Sequence, residues 1–92
     1  MEKYFKLLDV VHNGRKGLRG SQMCDRKYEG LIGAHCKFDL DNIQQFKPLK
    51  FEVINSLYYD YWHTSEVLEV AVINGVLEIE TANSIYRFRE LE

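Results

Sequence analysis

Trp62-His63-Thr64-Ser65-Glu66-Val67-Leu68-Glu69-Val70-Ala71-Val72-Ile73, then Asn74-Gly75, then Val76-Leu77-Glu78-Ile79-Glu80-Thr81: this stretch decides the fold. Two runs rich in β-branched residues flank an Asn-Gly pair, a short-range signature of a β-hairpin. Both residues tolerate the positive φ that a type I′ turn requires, and the twist of that turn matches the twist of paired strands. A second turn-prone cluster, Ala82-Asn83-Ser84, leads into a third run, Ile85 to Leu91, which predicts a three-stranded antiparallel meander.

Faces follow from the period of two. Leu68, Val70 and Val72 alternate with Glu69, Ala71 and Ile73, while Glu66 falls one residue out of phase. Leu77, Ile79 and Thr81 oppose the outward Glu78 and Glu80. Tyr86 and Phe88 are expected in the core, with Arg87 and Arg89 on the other face, able to pair with those glutamates across the strands.

Upstream of the meander, Leu57-Tyr58-Tyr59-Asp60-Tyr61-Trp62 forms a dense aromatic segment after an Asn55-Ser56 turn. Before it, Leu49, Phe51 and Val53 alternate with Lys50 and Glu52 as a strand. Asp39 or Asp41 can cap a single helical turn over residues 42–46. Tyr28 to Gly33 and Ala34 to Leu40 suggest one or two short strands kinked at glycine. Gly14, Gly17 and Gly20 mark a loop, and Tyr4 to Val11 is a strand with Tyr4, Lys6, Leu8 and Val10 on one face and Phe5, Leu7, Asp9 and Val11 on the other. The chain, residues 1–92, reads as a single mainly β domain: a small antiparallel barrel or sandwich of six to seven strands with at most one short helix.

Composition sets the class. Apolar residues make up 46% and charged residues 28% of the chain, as expected of a globular domain. No run approaches a membrane span, and two cysteines without a disulfide framework fit a reducing cytoplasm. Charge is lopsided: residues 1–50 carry a formal +4 and residues 51–92 a formal −6. This suggests a basic patch for an anionic partner, or opposite faces that attract between subunits.

The sequence carries no catalytic motif of a usual pattern. Cys24, His35, Cys36 and His63 suffice in number for a zinc site, but their spacing fits no usual pattern, and nothing local activates either cysteine as a nucleophile. Neither metal nor cofactor is expected. The segment Gly14-Arg15-Lys16-Gly17-Leu18-Arg19-Gly20 lacks the order of a phosphate-binding P-loop, yet Arg15, Arg19 and Arg26 are of the type that clamps phosphate. Tyr59 and Trp62 can stack on a base or anchor a protein interface, or cap the open end of a barrel. Asn83, Arg87 and Arg89 are secondary ligand candidates. The acidity of the second half argues against an extended duplex-DNA surface.

The pieces Thr64-Ser65-x-Val67, Asn74-Gly75 and Glu80-Thr81-x-Asn83-Ser84-Ile85-Tyr86, with Gly17-Leu18-Arg19-Gly20-Ser21 and Gly30-x-Ile32-Gly33, resemble those of small β proteins of phages and prophages. The resemblance implies a mobile-element setting and a protein that inhibits host defence, by binding a host defence protein or by sequestering a nucleotide signal. It carries over no binding residue. The resulting expectation is a non-enzymatic cytoplasmic binding protein. The alternative is an assembly module that self-associates through its basic loop and acidic meander as a homo-oligomer.

Overall fold

A computed structural model describes residues 1–92. Six strands, β1 (Glu2–His12), β2 (His35–Asp39), β3 (Pro48–Val53), β4 (Tyr61–Ile73), β5 (Val76–Thr81) and β6 (Ser84–Glu90), follow one another around a closed barrel. Every neighbouring pair is antiparallel, and β6 closes on β1 with Val10 opposite Tyr86 and His12 opposite Ser84. The expected meander is β4-β5-β6. Its Asn74-Gly75 turn has φ of 51° and 78°, both positive as a type I′ turn demands.

Side chains fill the barrel, as they do in barrels with few strands. Phe5 stacks on Phe38 at 4.3 Å between ring centroids, and Phe88 meets Phe38 edge-on at 5.1 Å. Phe51 stands perpendicular to Phe88 at 5.7 Å. Leu7, Leu31, Cys36 and Ile79 are fully buried among them. Burial pushes the Cys36 thiol up to about 12 and the Tyr86 phenol up to about 12, since a low-dielectric site penalises the charged form.

Three details depart from simple alternation. A bulge between Leu7 and Asp9 shifts the β1 register against β6. Leu7 and Val10 are therefore both buried, which breaks the face expected for Leu8 and Val10. The short strand expected over Tyr28 to Gly33 is not formed: Arg26–Tyr28 is a 3-10 turn, with Asp25 accepting from the Lys27 N–H at 3.1 Å, and further turns run to Gly33. Pairing starts only at His35, after Gly33 at φ 89° has turned the chain. The helical turn expected over residues 42–46 lies earlier, as a 3-10 turn at Leu40–Asn42, because Asp39 caps it by accepting from the Asp41 N–H at 2.9 Å.

Polar groups tie the long loop at 13–34 to the barrel. Asn13 is buried and its side-chain amide donates to the Thr81 and Ala82 carbonyls at 2.7 and 3.0 Å. Its side-chain oxygen accepts from the Arg15 N–H at 3.1 Å. The expected cross-strand ion pair forms at Arg87, which lies 3.8 Å from Glu78 and 3.4 Å from Asp9. Glu80 pairs instead with Arg19, at 3.1 Å. No helix is long and apolar enough to cross a membrane.

Candidate binding surface at the loop end

The β3–β4 connection has no regular structure, yet hydrogen bonds fix it at both ends and in the middle. The Val53 N–H donates to the Asp60 carbonyl at 2.8 Å, closing the loop at its neck. The Ile54 N–H donates to the His35 carbonyl at 2.8 Å, and the His35 N–H donates to the Asn55 side chain at 2.6 Å. Ser56 is the hub: its hydroxyl donates to the Gly30 carbonyl at 3.0 Å and accepts from the N–H groups of Tyr58 and Tyr59 at 3.1 and 3.3 Å. Short polar side chains satisfy backbone groups in this way where neither helix nor sheet can.

Beneath the loop, four aromatic rings close the barrel mouth. Trp62 donates its indole N–H to the Tyr86 hydroxyl at 3.1 Å. Tyr28 lies 5.6 Å from the Trp62 ring, and Tyr59 meets the same ring edge-on at 5.1 Å. The Tyr59 hydroxyl donates to the Lys27 carbonyl at 2.9 Å. Tyr59 and Trp62 are thus half-buried and packed against the core.

Above the rings, apolar groups stand in water. Leu57 is 96% exposed and Tyr58 76%. Ile54 and Ile32 are exposed as well. Arg26, Glu29, Gly30, Tyr58 and Tyr59 line a shallow concavity of about 670 Å³. Gly30 makes room for the tyrosine, because a Cβ there would lie 2.6 Å from Tyr58 Cδ2.

Of the candidate ligand residues, the structure brings Arg26, Tyr59 and Trp62 to this end. Arg19 lies elsewhere, among Glu69, Glu78 and Glu80, and donates to the Asn13 carbonyl at 3.1 Å. Arg15 is exposed on the glycine loop and Asn83 in the β5–β6 turn. Arg87 sits in its ion pairs on the barrel wall, and Arg89 is exposed on β6 beside Lys6. The Arg15, Arg19 and Arg26 side chains line no common concavity.

No family model, curated protein or solved structure matches the chain. Its chemistry is therefore read from these residues alone. No three His, Cys, Asp or Glu side chains group as metal ligands would. Cys36 is buried with a raised pKa, so its thiolate is scarce at neutral pH; Cys24 and His63 are exposed. The thr-ser clusters turn inward: the Ser84 N–H donates to the Thr81 hydroxyl, and the Leu49 N–H donates to Thr64. Nothing in the sequence pattern marks Leu57, Ser56 or Gly30 as contributors to a surface except the Asn55-Ser56 turn followed at once by an apolar residue.

Proposed function

We propose that the protein is a non-enzymatic, protein-binding module that seats its β3–β4 loop on a partner. One observation carries this reading: Leu57 and Tyr58 are held in water by a loop whose backbone is tied to β2 and to Gly30. A mobile loop would let such side chains fold back; a pinned one keeps them presented and lowers the ordering cost of binding. A tyrosine with an arginine beside it is the composition in which interface hot spots are enriched. Arg26 adjoins Tyr58 and takes part in none of the chain's ion pairs, so it suits a carboxylate on the partner. With the resemblance to phage proteins, a host defence protein is the partner class we propose.

A nucleotide ligand is the second reading. It rests on the concavity of Arg26, Tyr58 and Tyr59, but Glu29 in the same lining opposes a doubly charged phosphate more strongly than a single carboxylate.

A photo-crosslinking residue in place of Leu57, introduced in cells, tests the first. A discrete adduct from Leu57 that disappears on adding Tyr58→Ala, with none from Lys6 on the barrel wall, is the expected result. Equal labelling from both positions would refute the protein-binding reading. Native mass spectrometry of gently purified protein tests the second, which requires a retained mass of nucleotide size.

A further inference from the structure

Strand β4 outruns its neighbour. On one side it pairs with β5 from Val67 to Ile73. On the other, β3 ends with Pro48 opposite Glu66, and the preceding residues reach little further. The Phe46 N–H donates to the Val67 carbonyl at 2.7 Å, the Val67 N–H donates to the Lys47 carbonyl at 3.0 Å, and the Gln45 amide donates to the Leu68 carbonyl at 3.1 Å. From Glu69 to Ile73 that edge has no neighbour.

The turn fixes which groups the edge presents. A two-residue hairpin makes Ile73 and Val76 a hydrogen-bonded pair, so by alternation Ala71 and Glu69 also bond toward β5. The amides and carbonyls of Val70 and Val72 then point outward from the sheet edge. Their side chains are 42% and 69% exposed and share an apolar groove with Leu40, Ile43, Leu68 and Leu77. Free edges of monomers are usually blunted by lysine, proline or a bulge; Glu69 to Ile73 has one charge, at its start, and no proline, and the bulge of this strand lies before it, between Val67 and Glu69. Phe46 stands where this edge begins, at φ 67° and 64% exposed. A bulky residue in the left-handed region is a true outlier, and a ring left in water offers no compensation for it.

We infer that two copies of the chain pair here, β4 against β4, antiparallel about a two-fold axis through Ala71. Val70-Ala71-Val72 reads alike in both directions, so each Val70 meets the second copy's Val72 in a hydrogen-bonded pair. Glu69 meets Ile73 rather than another glutamate. The two Glu69 carboxylates are offset by the rise of four residues, about 14 Å, beyond the screening length of about 8 Å. In the same register Leu68 meets Asn74, which brings the second copy's turn beside Phe46. Five residues of edge with these flanks bury less than a standard interface of roughly 1,600 Å², so the dimer forms in a concentration-dependent way. The self-complementary register favours a second copy over a foreign strand.

Sedimentation of the full chain across a concentration series tests the pairing. The expected species has twice the 10.9 kDa chain mass and, being held by backbone and apolar contacts, persists in high salt. Val72→Lys should raise its dissociation constant roughly a hundredfold, tenfold at each of two symmetry-related sites, while the folded monomer keeps its circular dichroism. Ala71 would face itself at about 4.5 Å between Cα atoms, inside disulfide range. Ala71→Cys in a Cys24→Ser background should therefore cross-link on oxidation, and Lys6→Cys should not. A monomer at every concentration, a dimer untouched by Val72→Lys, or a dimer dissolved by salt overturns the inference. None of these outcomes involves Leu57 or Tyr58.

Discussion

At the loop end, Leu57 and Tyr58 stand in water on chain without regular structure, pinned by the Ser56 hydroxyl and the Asn55 amide. At the hairpin end, Val70 and Val72 stand in water on the longest strand of the barrel, where β3 has stopped and β4 continues. The first exposure comes from side chains that satisfy a loop; the second comes from a mismatch in strand length. A loop held by a few short polar residues presents one particular shape, whereas a bare strand edge presents the generic hydrogen-bonding pattern of a sheet. The first suits a specific foreign surface, the second a copy of itself.

Removing what joins the two ends should break both together. Phe88 is fully buried and touches Phe5, Phe38 and Phe51. Phe88→Ala should cost about 3–5 kcal/mol, with a single urea transition seen alike by tryptophan fluorescence and circular dichroism.

Alkali should separate the ends. Cys36 and Tyr86 have raised pKa values in the folded protein. Stability is then full below their unfolded values and falls as pH rises toward about 12, by roughly 1.4 kcal/mol per pH unit for each group. Tyr86 lies under Trp62, so in a titration from pH 8 upward, tryptophan fluorescence should report loosening at the loop end before ellipticity falls. Tyr86→Phe should flatten part of that slope.

A narrower change should affect the loop alone. Ser56→Ala leaves the Gly30 carbonyl and two amides without their partner, at a cost of about 1–2 kcal/mol. Hydrogen exchange should accelerate at Tyr58 and Tyr59 and remain unchanged in β5. At the hairpin end, Phe46→Gly should stabilise the isolated monomer by about 0.5–1 kcal/mol, because glycine adopts positive φ freely. Thermal melts at low concentration would show this small gain.

Much of the barrel was legible in the sequence because the Asn74-Gly75 turn fixes the β4–β5 register, and Leu77, Ile79, Tyr86 and Phe88 then fall inward as the period of two requires. The β1 faces were not, since a single bulge after Leu7 reverses parity and no residue there announces it. Val70 and Val72 do share the inward face with Ile79 and Leu77, but periodicity reports a face and not whether a neighbouring strand reaches far enough to cover it. Tyr59 and Trp62 could be read as either cap or surface until Tyr28 and Tyr86, distant in sequence, were seen to meet them. The arginine cluster failed to gather for a related reason: Glu80, on a strand far along the chain, takes Arg19.

Asn13 has a consequence for how this protein can change. Its amide fastens the end of β1 to the β5–β6 turn before the chain departs into residues 14–34, and the Gly20 and His12 N–H groups, donating to the His12 and Ser21 carbonyls at 2.9 and 2.8 Å, fasten the root of the loop. Closure of β6 on β1 is therefore complete without the outer residues of that loop. The tip around Arg15 and Lys16 is a place where segments can be exchanged, lengthened or grafted, by evolution or by an engineer, on a scaffold that stays shut.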